Sequence, residues 1–320
     1  MSRKEKRKRK SGFFRLCLMV LVFLAVLAAG WYFLLGKLYQ EVHYEEASTY
    51  TNQSLGGDGV VNILLIGNDS RQEGEDGRSD AMILLSINDR AKKIYMTSIL
   101  RDIYVEIPGH DGNRLNAAYA YGGPELLMQT VEQNFGIDVN RYVQVNFEAF
   151  ANLVDAVGGV ELELSTEELE YVNGYLVEYN MLTGREEGTD YMDTSAQGTV
   201  HLNGAQALAY SRNRYIGTDF GRTERQRKVL SAVIGNLPAA FVENPGQLVN
   251  GILPNLTTNL KLGECFSLSF QAGKLALYHI EQGTVPLEGT YKDATIRGMS
   301  VLEIDFEANR EYLHRIAAGK

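Results

Sequence analysis

The 320-residue chain is 45% hydrophobic and 22% charged, ordinary for a globular protein and enough for one large domain or two small ones. Its net charge of −9 is uneven: eight Lys and Arg fall in the first fifteen residues, opposed only by Glu5. Removing that tail leaves 23 basic against 39 acidic residues, near −16, which excludes a general binder of nucleic acid or anionic lipid.

From Leu16 to Gly36 the chain is uncharged (LCLMVLVFLAVLAAGWYFLLG), about the 20 residues a helix needs to cross a bilayer. Arg15 and Lys37 close its ends, and Trp31, Tyr32 and Tyr39 sit where an aromatic belt forms. The preceding basic run places the N-terminus in the cytoplasm and the remainder outside. A cleaved signal peptide competes through Ala28-Ala29-Gly30, but the apolar run continues through Leu35, longer than such a segment needs. Cys17 and Cys265 would lie on different sides of the membrane plane, so no internal disulfide is expected.

The expected organisation is a basic tail (1–15), a transmembrane helix (16–36), a polar linker (37–59) ending in Gly56-Gly57-Asp58-Gly59, and an outer domain (60–320). Val60–Ile66 is a near-continuous apolar run, the mark of a buried strand. Ala81–Ile87 and Ile94–Leu100 are two more, and the polar turn Asn88-Asp89-Arg90-Ala91-Lys92 makes them a hairpin. A helix is expected from Pro124 through Asn134, a strand over Tyr142–Asn146, and a helix over Phe147–Val157 stopped by Gly158-Gly159. Val160–Leu164 reads as a short strand. Ser165–Val200, polar and poorly periodic, reads as an excursion with only local structure. Asn203 is placed to cap a helix through Tyr210, and Asp219 opens a longer one with Val229, Val233, Ile234 and Leu237 inward. Alternating strands and helices define an α/β class, an α-β-α sandwich with a central mixed sheet.

Four segments concentrate chemistry. Gly67-Asn68-Asp69-Ser70-Arg71 follows the first strand, and Arg78-Ser79-Asp80 precedes the second. Asp69 and Asp80 at neighbouring strand mouths suit a hard cation such as Mg2+, or are turn residues. In Ser98-Ile99-Leu100-Arg101-Asp102 a strand runs into an adjacent cation and anion, which a surface ion pair would also explain. Between Ala209 and Arg227 five arginines fall within sixteen residues of an otherwise acidic domain. Asp219, Arg222 and Gln226 share a helical face, and Arg212 and Arg214 share one if extended. Arg in preference to Lys suits bidentate binding of phosphate oxygens, against the alternative of a solvated charged face. There is no G-x-x-x-x-G-K-[ST] loop, G-x-S-x-G elbow or H-E-x-x-H motif, and the five histidines are scattered.

Together LLIGNDSR, GRSDAMILLSIN, SILRDIYVEIPG, RLNAAYAYGGP, LVDAVGGVELEL and HLNGAQALAYSRNRY followed by DFGRTERQ resemble the LytR-CpsA-Psr family in order and spacing. The resemblance implies a phosphotransferase that moves a glycopolymer, such as a teichoic acid or capsule chain, from a polyprenyl pyrophosphate carrier to peptidoglycan, with Mg2+ or Mn2+ as cofactor. It implies Asp69 and Asp80 as metal ligands, and Arg78, Arg101, Arg212, Arg214, Arg222 and Gln226 around the pyrophosphate. Asp219 would be the acid/base or an arginine-orienting residue. The implied partners are the lipid-linked glycan donor, the peptidoglycan acceptor and membrane lipid, with no nucleic acid. Leu100 stands where the family commonly has Pro, and Arg114 where Lys commonly stands. The same residues would also serve a pyrophosphate hydrolase, and the family's name carries a non-enzymatic envelope-regulator reading.

Overall fold

The computed structural model describes residues 28–50, 55, 59–68, 79–196, 198–213, 215–243, 246, 253–275 and 277–319. The basic tail and most of the expected transmembrane stretch lie outside the described residues. Residues 28–39 are helical (α1). Among the described residues no helix is long and apolar enough to cross a membrane.

The elements that frame the site follow from the apolar runs. Strands β1 (His43–Tyr44), β2 (Val60–Asn68), β3 (Ser79–Asn88) and β4 (Lys93–Ile99) are followed by the short pair β5 (Tyr104–Val105) and β6 (Asn113–Arg114). Helix α2 (Leu115–Phe135) begins nine residues before the expected start at Pro124. The cause is a kink: Gly122 and Gly123 leave helical geometry, and Pro124 opens the second helical piece where its missing N–H costs nothing. Gly136 ends the helix in the left-handed region at φ 67°.

Strand β7 (Arg141–Val145), helix α3 (Phe147–Ala156) and strand β8 (Val160–Leu164) lie close to their expected bounds. The polar excursion does not: Thr166–Thr183 is an 18-residue helix, α4. Ser165 accepts from the Glu168 amide while Glu168 caps the Ser165 amide, a reciprocal box that starts the helix. Leu169, Val172 and Leu176 bury one face of it. Strand β9 (Gly198–Leu202) pairs with β8, and helix α5 (Gly204–Arg212) follows under an Asn203 cap. Then come α6 (Asp219–Glu243), β10 (Leu256–Thr258), α7 (Leu262–Leu275), β11 (His279–Val285), the hairpin β12 (Tyr291–Ile296) and β13 (Met299–Ile304), and α8 (Phe306–Ala317).

Seven strands form a mixed sheet in the order β1-β10-β7-β2-β3-β4-β11. β2 and β7 run parallel, as do β4 and β11, whereas β2, β3 and β4 form an antiparallel meander. One face carries Leu64, Ile66, Met82, Leu84 and Tyr95 into a core with α2 and α8. A second core joins α3, α4, α5 and α6 with β8 and β9. Each fully buried side chain of this size contributes about 1.5–3 kcal/mol.

The first half of the segment expected as a linker packs on the domain. β1 adds to β10, Tyr50 is 1% exposed, and its hydroxyl donates to Glu132 at 2.5 Å. Helix α1 lies against α7 through Trp31 Nε1 to Ser269 Oγ at 3.0 Å and an edge-on contact of Tyr32 with Phe266. Tyr39 then donates to the Leu260 carbonyl at 2.6 Å.

Candidate active site

The C-terminal ends of β2 and β4 and the start of β3 meet at one end of the sheet's central strands. There the β2–β3 register shifts between Gly67 and Asn68, a bulge that bends β2 at the mouth of a cavity of about 680 Å3. Gly67 gives room at this bend: a Cβ there would come within 3.1 Å of the Ala81 Cβ, so a larger residue would require Ala81 to shift. The cavity is lined by Asp80, Phe147, Tyr175, Arg212, Arg222 and Gln226 among others. Five residues singled out in the sequence are therefore at or near one place: Asp80, Arg212, Arg222 and Gln226 in its wall, and Arg101 beside Asp80. Asp69, Arg78 and Arg214 lie outside the described residues.

Asp80 Oδ1 takes the Arg101 Nη1 at 2.5 Å, and Arg101 Nε lies 3.4 Å from Asp102 Oδ2. Arg114 Nη1 stands 3.7 Å from the other oxygen of Asp102. Burial alone would lower the Arg101 pKa. The charges of Asp80 and Asp102, the Asp80 hydrogen bond and the charge of Asp219 more than offset it, so the guanidinium is held above its ordinary value. At Leu100, where the family resemblance leads one to expect Pro, the amide donates to the Val285 carbonyl at 2.9 Å. Pro could not make that bond, so Leu100 ties the end of β4 to β11 just before Arg101.

Arg222 sits in the first turn of α6, 3% exposed, with Nη2 3.0 Å from Asp219 Oδ1. Their i,i+3 spacing puts both on the face expected. Gln226, one turn on, presents a buried Oε1 that accepts no hydrogen bond among the described residues. Arg212 ends α5. Its guanidinium carbon lies 4.2 Å from the Phe147 ring centroid and 6.0 Å from that of Tyr175, while the Tyr175 hydroxyl donates to the Arg212 carbonyl at 2.8 Å. Two aromatic faces thus hold a planar cation with its edge open to the cavity.

The arginine run divides in the fold. Arg225 Nη2 donates to the carbonyls of Asn213 and Ile216 at 3.0 and 2.7 Å, so it braces the loop before α6. Arg227 donates to Ser98 Oγ at 2.6 Å, and burial pushes its pKa down despite Glu224 and Tyr312. These two hold structure; Arg212 and Arg222 face the cavity.

Sequence reasoning missed the contribution of α4. Tyr171, Gly174, Tyr175 and Glu178 form one cavity wall. Tyr171 stacks on Tyr215 at 5.7 Å and 7°, and Tyr215 is 75% exposed at the rim. The signal was present in the Ser165-x-x-Glu168 box, which marks a helix start. From the cavity, half-buried apolar residues continue along one sheet face: Gly67 pairs with Ala81 and Val145, and Leu65 with Val143. Residues of central strands are ordinarily covered, so this strip is an incompletely filled apolar surface.

Among the described residues no group of three or more His, Cys, Asp or Glu is placed to hold a metal. Of the expected ligand pair, Asp80 is in the cavity wall. As a carboxylate among arginines it offers the hard oxygen donor that Mg2+ or Mn2+ takes.

A mixed α/β sheet with a cavity lined by two arginines, two carboxylates and aromatic rings places the chain among α/β proteins, and similarity to known proteins narrows the class. The sequence matches the LytR_cpsA_psr family over residues 35–316, and the chain belongs to that family. It is 34% identical over 261 residues to the polyisoprenyl-teichoic acid–peptidoglycan teichoic acid transferase TagU of Enterococcus faecalis, covering 77% of this chain and 78% of that one. The protein of the same name from Bacillus mycoides is 36% identical over 235 residues, covering 72% and 69%. Among solved structures, TagT bound to LIIa-WTA superimposes with a TM-score of 0.66 at 27% identity, covering 86% of this chain and 96% of that one. TagT with bound octaprenyl pyrophosphate lipid gives 0.62 at 26%, covering 86% and 97%.

Proposed function

We propose that this chain is a membrane-anchored phosphotransferase, dependent on Mg2+ or Mn2+. It takes a glycopolymer from a polyprenyl pyrophosphate carrier and joins it to peptidoglycan through a phosphodiester. The observation that carries this reading is one juxtaposition: Asp80, Arg101, Arg212, Arg222 and Gln226 stand at a cavity that opens onto the half-covered apolar strip around Leu65 and Val143. A pyrophosphate with a prenyl tail needs both, cations at its head and an apolar slot beyond it. The similarity to polyisoprenyl-teichoic acid–peptidoglycan transferases, and to TagT with bound octaprenyl pyrophosphate lipid, supports the same substrate.

The chemistry follows from charge. Arg101, Arg212 and Arg222 spread the negative charge of the pyrophosphate, and Gln226 adds an amide to its oxygens. On the sequence reading Arg78 and Arg214 join them. Mg2+ or Mn2+, held by Asp80 and by Asp69 on the sequence reading, supplies further neutralisation of the phosphate oxygens when bound. The acceptor hydroxyl oxygen forms a bond to the phosphorus nearest the glycan. The bond from that phosphorus to the bridging oxygen breaks, and polyprenyl phosphate leaves with the electron pair. Asp219 takes the hydroxyl proton, with Arg222 holding its Oδ1.

The anchor reading rests on the uncharged stretch Leu16–Gly36 and the basic tail before it. It puts the domain outside the membrane and beside the bilayer where a prenyl carrier resides. The contacts of Trp31, Tyr32 and Tyr39 with the α7 region support a fixed bearing of the domain on that helix. Ligation of a lipid-linked glycan to peptidoglycan oligomers by the purified full chain tests the function. Product is expected with the wild type and lost in the Arg101→Ala, Arg222→Ala double variant. No wild-type product, full product from the variant, or free glycan phosphate as the dominant product overturns the reading.

A further inference from the structure

A second cavity of about 450 Å3 lies beside the first and shares no lining residue with it. Thr218, Phe220, Thr284, Leu287, Glu288 and Tyr291 line it. It opens at the C-terminal end of β11, the neighbour of β4, where Val285 pairs with Ile99 and its carbonyl holds the Leu100 amide. Arg101 is the next residue. The charged site and the second cavity are therefore built on the ends of adjacent strands.

Asp219 stands where the two meet. Its chain neighbours Thr218 and Phe220 belong to the second cavity, while its carboxylate holds Arg222 of the first. On a helix, residue 220 points about 100° away from 219, so α6 turns one side to each cavity.

The lining also differs in kind. None of the lining residues is Lys or Arg, so the second cavity offers no match for a pyrophosphate. Phe220 and Tyr291 form an aromatic wall with ring centroids 5.0 Å apart, both half-buried. Thr218 and Glu288 are exposed at its edge, and Thr284 is half-buried. An aromatic wall with hydroxyl and carboxylate groups around it fits a sugar ring. The C–H face of the ring packs on the aromatics, and its hydroxyl and amide groups hydrogen-bond to Thr and Glu. The volume lies within the roughly 300–1,000 Å3 that small-ligand sites occupy.

We propose that this cavity holds a hexosamine ring of the acceptor glycan and presents its free hydroxyl to Asp219. The inference rests on the transferase reading. In-line displacement needs the attacking oxygen and the leaving oxygen on opposite sides of the phosphorus. With the carrier's pyrophosphate among Arg101, Arg212 and Arg222, the prenyl side of the first cavity is closed to the acceptor. The side of Thr218 and Phe220 is the other approach to Asp219.

The test uses the full chain, a lipid-linked glycan donor and peptidoglycan oligomers at graded concentrations. Three variants are compared: Tyr291→Ala, Glu288→Gln and Thr284→Val. Glu288 is exposed, so its replacement bears on binding without endangering the fold. The acceptor KM is expected to rise about tenfold in Tyr291→Ala, equivalent to about 1.4 kcal/mol, and less in the other two. The donor KM should stay at the wild-type value throughout. An unchanged acceptor KM in all three variants, with wild-type transfer intact, overturns the inference and leaves the transferase reading standing. A donor KM that rises in step with the acceptor KM overturns it too. A wild type that transfers nothing fails the transferase reading itself, and this inference falls with it.

Discussion

Arg101 and Asp80 lie 2.5 Å apart although one follows the end of β4 and the other is the second residue of β3. The antiparallel pairing of those strands brings them together at the cavity. The side chains are 20% and 19% exposed, so water reaches the pair and an incoming phosphate can recruit the guanidinium without displacing a packed core. Arg101→Ala should lower kcat/KM for glycan transfer by about 10²–10³, the usual cost of losing one preorganised charged donor. Arg101→Lys should recover little of it, because an ammonium cannot bridge two oxygens as a planar fork does. Steady-state transfer kinetics on both variants check this; a lysine variant at wild-type rate would show that charge alone suffices.

Asp219 is the residue whose role has two versions, proton acceptor or holder of Arg222. Both predict that Asp219→Ala slows the reaction, by roughly 10²–10⁴-fold if it moves a proton. They differ in Asp219→Asn. The amide oxygen can still accept from Arg222 Nη2, which now sits 3.0 Å from Oδ1, but the amide cannot take a proton. If Asp219 is the base, Asn should be as slow as Ala. Near-wild-type turnover in Asp219→Asn would assign it to positioning.

Much of this frame is legible in the sequence, for identifiable reasons. β2, β3 and β4 are central strands with one face largely buried and the other at least half-covered, so their near-continuous apolar runs stand out. Asn203, Gly136 and Gly158-Gly159 punctuate helices by cap chemistry that depends on a few neighbouring residues. The α4 helix is harder to read because its cavity side carries Tyr171, Tyr175 and Glu178. Polar residues that serve the site then break the polar-out pattern, and the segment looks aperiodic. Nor can composition separate Arg212 and Arg222 from Arg225 and Arg227. That division depends on which loop carbonyls and which strand hydroxyl lie under each side of α6. The apolar strip at Leu65 and Val143 is invisible for the opposite reason: its residues are indistinguishable from core.

Far from the site, Arg141 on β7 is 1% exposed and pairs with Glu264 on α7, with Nε to Oε2 at 2.8 Å and Nη2 to Oε1 at 2.5 Å. Burial would raise the Glu264 pKa, but the Arg141 hydrogen bonds, the Lys261 amide and the charges of Arg141 and Lys261 reverse it and hold the carboxyl below the ordinary range. Such a group stabilises the fold above the unfolded glutamate pKa of about 4.3, and that contribution is lost as pH falls through the lower folded value. Glu264→Gln should cost about 3–5 kcal/mol at neutral pH, since it leaves a buried guanidinium without its anion. The deficit against wild type should shrink below about pH 4. Urea unfolding at several pH values measures it; a deficit independent of pH would mean that the pair is not the source.

The sharpest test of the metal is a chelator series with an independent readout. Asp80 supplies an oxygen donor in the cavity wall, and Arg101 already neutralises part of its charge. A divalent ion would therefore bind weakly to the free protein and more tightly once phosphate oxygens complete its shell, as is usual for Mg2+. Transfer should stop with EDTA and return with Mg2+ or Mn2+. Isothermal titration of Mg2+ should show weak binding alone and tighter binding with a polyprenyl pyrophosphate present. Asp80→Asn should abolish that gain while leaving the melting temperature within a few degrees, because the side chain is 19% exposed and already at the mouth. Transfer that survives EDTA at the full rate would make the arginines sufficient and leave Asp80 as the partner of Arg101 alone.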